Sequence, residues 1–184
     1  MTSPRLGTGV LLALAASIAA AADPPALHLE SRRLRSTAVF VGTVTAVRRL
    51  GALDSLTADT QGRMEATVRI DKVLRAPAGA AAPAEAAVKF DSRAPEPEGD
   101  GFFALAAGET VLVFADGFEP AYPRDLFHGA PKDVAAKVQA LRDFVATMDV
   151  PTTALHGLTP ATRASQVRLY DQALGLLAKA GSAR

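Results

Sequence analysis

Apolar residues recur at every second position as far as residue 115 and at every third or fourth position after residue 131. This change of period constrains the fold more than any other property of the 184-residue chain. A period of two lines one face of a strand, and a period near 3.6 lines one stripe of a helix. Strands followed by helices, rather than strands alternating with them, point to an α+β fold instead of a parallel α/β one. The first strand is read over Ala38–Val47, a β-branched run. Strict alternation puts Val39, Val41 and Val47 with Thr43 and Thr45 on one face, and Phe40, Val44 and Ala46 with Gly42 on the other. Both faces are partly apolar, as in a sheet covered on both sides. Gly42 inside the run predicts a bulge or bend of the kind closed sheets use at corners.

The polar segment 51–62, ending in Gly62, reads as a hairpin loop. In Met64–Leu74, Met64, Ala66, Val68 and Ile70 alternate with Glu65, Thr67, Arg69 and Asp71, which predicts a half-buried strand. Ala86, Val88 and Phe90 mark a third strand, and Thr110–Ala115 a fourth before the Asp116-Gly117 turn. Past that turn, Pro131 stands where a helix can begin. Val134, Val138, Leu141, Val145 and Met148 then form one stripe, with Pro151 as its stop. Thr159-Pro160 predicts the cap and first turn of a second helix, with Val167, Tyr170, Leu174 and Leu177 inward and Gly181 at its end. Both stripes read first as packing. Ahead of the strands, residues 26–35 are expected to form a short helix with Leu27 and Leu34 on one face and Glu30, Arg33 and Arg35 toward solvent.

Residues 1–22 have the layout of a secretory signal peptide: Arg5, an apolar Val10–Ile18, and Ala20-Ala21-Ala22 as a cleavage site. The apolar run is about a dozen residues, short of the roughly 20 a membrane span needs, and Asp23-Pro24-Pro25 ends it. The mature chain is expected to be periplasmic or extracellular, with no membrane span once the signal is removed. There is no cysteine, which excludes a disulfide framework, a thiol nucleophile, Cys-ligated zinc and a lipid-modified N-terminal cysteine. There is no asparagine to glycosylate. Arg-rich, Lys-poor usage suggests a GC-rich bacterial genome. Removing Arg5 with the signal leaves 19 basic and 19 acidic residues, a neutral mature chain, which argues against general nucleic acid binding. The pairs Arg32-Arg33 and Arg48-Arg49 read as solvated faces.

Three stretches together resemble the bacterial relatives of tissue inhibitors of metalloproteinases: Ser36–Val44, Val68–Leu74 and Ala107–Ala115. Those relatives are netrin-like OB-fold domains. The resemblance covers roughly residues 27–116 and rests on strand patterns. It implies an α+β, mainly β architecture: an OB-like closed β-barrel of about five strands, with a short N-terminal helix and two C-terminal helices packed outside. The fifth strand would lie near Phe118–Tyr122 or within the first long strand bent at Gly42. The corresponding domain bounds are 1–22 for the signal peptide, 23–35 for the N-terminal helical segment, 36–118 for the barrel and 119–184 for the C-terminal loop and helical extension. The cysteine with which the animal inhibitors grip zinc has no counterpart here, so no functional residue carries over.

No catalytic or metal motif is present. The three histidines His28, His128 and His156 form no H-x-x-H, H-x-x-x-H or H-E-x-x-H pair. G-x-S-x-G, G-x-G-x-x-G and the P-loop are all missing. The richest local constellation is Asp116, Glu119, Tyr122, Arg124, Asp125 and His128, on a loop where function tends to sit. Asp125 and His128 are the catalytic candidates, able to meet across a turn and exchange a proton. The competing reading is a connector anchored by Phe118, Tyr122 and Phe127. Glu96, Glu98 and Asp100 offer oxygen ligands for calcium without EF-hand spacing, and Pro95 and Pro97 make an extended solvated loop the plainer reading. No cofactor and no metal is expected. These observations favour an exported, non-enzymatic binding module for a protein or peptide partner. The alternatives are a small exported enzyme using the Asp125/His128 loop, and an OB-type domain binding oligosaccharide or oligonucleotide. Low aromatic content and the absence of tryptophan weigh against the last.

Overall fold

The computed structural model describes residues 32–51, 62–97 and 100–182. The expected signal peptide, most of the N-terminal helix, the hairpin loop beyond Gly51 and Glu98 lie outside these residues. Five strands form one antiparallel sheet: β1 (Ala38–Arg49), β2 (Arg63–Arg75), β3 (Glu85–Asp91), β4 (Thr110–Ala115) and β5 (Leu126–Gly129). Their order across the sheet is β3-β2-β1-β4-β5. Helices α1 (Pro131–Thr147), α2 (Val150–Leu155) and α3 (Pro160–Ser182) follow, and residues 32–35 form a helical turn ahead of β1.

The expected closed OB-like barrel does not form. The sheet is open, with β3 and β5 as its edges. The segment Phe118–Tyr122, expected as a fifth strand, contributes only a single parallel bridge, Ala121 to Val88 on β3. Ala121 N donates to Ala87 O and Lys89 N to Ala121 O, both at 2.9 Å. Pro123, two residues on and the next position that would donate toward β3, has no N–H to extend this bridge. The chain instead turns through a 3-10 helix at Pro123–Asp125 and adds its fifth strand beside β4, where Val113 faces Leu126 and Thr110 faces Gly129. The architecture is an α+β fold.

Each face of the sheet buries its own core. On one, Val39, Val41, Leu112, Phe114 and Phe127 meet Val134, Val138, Leu141, Val145 and Met148 of the α1 stripe, together with Leu169, Tyr170, Ala173 and Leu177 of α3. On the other, Phe40, Val44, Ala66, Val68, Val88, Phe90, Val111 and Val113 are capped by Phe103, Leu105 and Ala121 from the connections. The β1–β4 centre is therefore buried on both sides, which is why all six residues of β4 are buried.

Strict alternation fails at one place in β1. The register with β2 shifts between Val44 and Ala46, leaving Thr45 as an extra residue. Val47 consequently packs with Phe40 and Val44, not with Val39 and Val41 as alternation predicts. A second shift falls between Val41 and Gly42. There a Cβ on residue 42 would lie 2.5 Å from Arg69 O and 2.5 Å from Val68 Cγ1, so the bend needs glycine for its close approach.

Three helical details differ from the sequence pattern. Pro151 sits in the first turn of α2 rather than merely stopping α1, and Asp149 caps that turn by accepting from Thr152 N. Gly181 lies inside α3. The buried face of α3 is rotated slightly, so that Gln166, Leu169 and Ala173 are fully buried while Val167 and Leu174 are only partly so. Within the N-terminal turn, Leu34 is buried as expected, but Arg33 is buried too. Its guanidinium carbon stands 4.1 Å from the Phe127 ring centroid.

Candidate functional site

The predicted loop is dispersed by the fold. Asp116 accepts from Thr37 Oγ1 at 3.0 Å, and Thr37 Oγ1 in turn accepts from Gly117 N. Glu119 and Arg124 are exposed, and Tyr122 is about half exposed. Asp125 is buried at 2% exposure. Its Oδ1 accepts from Arg32 Nε and its Oδ2 from Tyr122 N, so the carboxylate caps the 3-10 turn and ties it to the turn before β1. That hydrogen bond to Asp125 raises the Arg32 guanidinium above the ordinary arginine range.

His128 lies on edge strand β5, opposite Val111 of β4. It does not pair with Asp125. Nδ1 is 3.2 Å from Glu109 Oε2 and Nε2 is 3.1 Å from Glu96 Oε2, with the ring edge-on to Phe103 at 5.0 Å. Glu96 reaches it because the proline-rich segment, expected to be extended and solvated, folds back on itself. Pro95 bridges Phe102, Glu96 N donates to Gly101 O, and Phe103 N donates to Ala94 O. Both ring nitrogens therefore face carboxylates of the protein itself. Among the described residues no cluster of three or more His, Asp or Glu side chains could hold a metal ion.

A different site is assembled where sequence reasoning found none. A cavity of about 250 Å³ opens between the N-terminal turn, the end of β2, and the α2–α3 junction. Leu34 and Leu158 supply apolar wall, and Arg35, Arg75, His156 and Gln166 supply polar groups. Among the described residues no acidic side chain lines it. Arg75 is held from two sides, Nη1 donating to Ser36 O and Nη2 to Gln166 Oε1, both at 2.9 Å. Gln166 is itself buried and donates from Nε2 to Leu34 O at 2.6 Å. Among the described residues neither Arg35 nor Arg75 is in an ion pair with a carboxylate. Burial pulls the Arg75 guanidinium below its ordinary range. It does the same to the His156 imidazole, and the Arg35 charge adds to it. Gly157, at φ +68°, reverses the chain after α2. A Cβ there would stand 3.6 Å from Arg35 Nη2, so the glycine brings the turn close against that side chain.

The cavity residues come from positions 34–35, 75, 156–158 and 162–166. No local spacing joins them. The only hints were a glutamine one turn before the apolar Tyr170 on α3 and an arginine closing a strand, neither of which stands out in a sequence. No helix among the described residues is long and apolar enough to cross a membrane. No protein-family model matches the chain, and no curated protein is significantly similar to it.

Proposed function

We propose that this chain is an exported, non-enzymatic binding module that receives its ligand in the cavity beside Arg35 and Arg75. The observation that carries the reading is the division of labour among polar side chains. Those that suggested catalysis are each engaged with other side chains of the protein, Asp125 with Arg32 and His128 with Glu96 and Glu109. Those at the cavity leave positive charge without a carboxylate partner among the described residues. Export is supported by the layout of residues 1–22. The neutral mature charge agrees with a discrete ligand rather than a polyanion.

The enzyme reading has less support, because a general base must reach a substrate proton and His128 is flanked by a protein carboxylate at each nitrogen. The oligosaccharide or oligonucleotide reading depended on the face of a closed barrel and has no separate support.

The test is a thermal-shift screen of residues 23–184 against small acids, sugars, nucleotides and peptides, run beside generic hydrolase assays. Saturable stabilisation without turnover supports the reading. Turnover abolished by H128Q would overturn it.

A further inference from the structure

We propose that the cavity recognises a carboxylate on a small apolar body, with Arg75 as the fixed fork and Arg35 as the second cation at the mouth. The inference rests on the binding-module reading and names the chemistry of its ligand.

Three features select this class. Arg75 is half-buried, and its two described partners, Ser36 O and Gln166 Oε1, are neutral acceptors. They hold the guanidinium plane in place but do not neutralise it, and a desolvated charge is costly until a counter-charge arrives. Two of its five N–H groups are used in these bonds, so enough donors remain for a bidentate carboxylate. The fixing contacts precede ligand arrival: Gln166 is locked by Leu34 O, so the fork is pre-organised.

Charge and size narrow the ligand further. His156 borders the cavity as a buried imidazole and Arg35 is exposed at the rim. A monoanion matches one half-buried guanidinium with a solvated second one, whereas a phosphate dianion would carry more charge into a partly apolar site. Leu34 and Leu158 offer contact to a short aliphatic group. A cavity of about 250 Å³ admits a fragment rather than a drug-sized molecule. The same chemistry is presented by a free short-chain acid and by the C-terminal carboxylate of a peptide.

The experiment is calorimetric titration of residues 23–184 with sodium butyrate, butyramide, inorganic phosphate, and a tripeptide ending in leucine as free acid and as amide. The expected result is binding of the carboxylates, loss of binding for both amides, and phosphate weaker than either acid. R35A and R75K should each weaken carboxylate binding about tenfold or more. R35A is the control for folding, because Arg35 is exposed, and circular dichroism of each variant checks the fold. A peptide acid that binds more tightly than butyrate assigns the site to a chain terminus, and the reverse order assigns it to a free acid. Either order supports the inference. Equal binding of acid and amide, phosphate binding as tightly as carboxylate, or unchanged affinity in both variants would overturn it. A neutral ligand that binds at the cavity removes the carboxylate and leaves the binding module. A chain that binds nothing in either the screen or the titration removes both.

Discussion

Arg32 Nε donates to Asp125 Oδ1 at 2.5 Å, joining the turn before β1 to the turn before β5 across 93 positions of chain. Arg32 is 43% exposed and Asp125 only 2%, so the two ends of the pair respond differently to mutation. D125A loses the charge-assisted bond and also the cap on Tyr122 N. It should cost about 2 kcal/mol in urea denaturation. R32A leaves the cap intact but strands a buried carboxylate. It should cost at least as much at neutral pH despite the exposed position of the arginine. A cost under about 0.5 kcal/mol for both variants would show that the link carries no stability.

The Glu96–His128–Glu109 contacts tie the folded-back proline segment to both β4 and β5. H128A should lower stability by about 1–2 kcal/mol and loosen the segment around Glu96 first. Hydrogen exchange at Phe103, whose amide bonds to Ala94 O, reads that loosening directly. H128Q should leave ligand affinity unchanged, because His128 does not line the cavity. Affinity that falls with H128Q would contradict the separation of the two sites.

Gly42 is fixed by close approach rather than by backbone angle. G42A should cost about 1–3 kcal/mol through overpacking against Arg69 O, a backbone atom with little freedom to retreat. G62A is a useful contrast, since its Cβ would meet mainly the flexible ends of Asp91 and Arg93. If thermal unfolding places G42A level with wild type, the register shift beside it does not depend on glycine.

His156 gives the chain an acid-sensitive element. Its imidazole is held below the ordinary value of 6.5, first by burial and second by Arg35. The unfolded chain therefore binds the proton more readily than the folded one. The stability this residue contributes is present above 6.5 and is lost as pH falls below that value toward the depressed folded pKa. Chemical denaturation between pH 7.5 and 5 should show wild type losing more stability than H156Q. Parallel profiles would remove His156 as the cause. A carboxylate in the cavity would favour the imidazolium, so the same acid range should tighten butyrate binding.

Much of the fold was legible because strands and helices carry their burial in their period. The alternation in Met64–Ile70 and the stripe from Val134 to Met148 both mark faces that the structure buries or partly buries. Val47 lies on the face opposite to the one alternation predicts because a one-residue bulge reverses the parity of everything beyond it, and a bulge at Thr45 leaves no mark in composition. Arginine is usually solvated, so the pattern alone points Arg33 to solvent. Its burial depends on the rings of Phe114 and Phe127, from two strands distant in sequence. The candidate site was less legible. His128 was noticed, but its partners Glu96 and Glu109 depend on how the proline segment folds back and on the β4–β5 register.

By itself the sequence determined the first four strands, the two long helices that follow them, the apolar face of most of these elements and the absence of any thiol chemistry. These are local properties, set by side-chain spacing, backbone sterics and the identity of single residues. The tertiary structure alone decided whether the sheet closes, which face Val47 joins, and which charges meet. Closure turned on whether Phe118–Tyr122 extends along β3, where the segment makes a single bridge and Pro123 has no N–H to continue it. The cavity turned on four chain segments arriving at one point, where Gln166 and Ser36 orient Arg75 without neutralising it. Contacts between distant segments depend on the sum of many packing energies, and no window of neighbouring residues contains that sum.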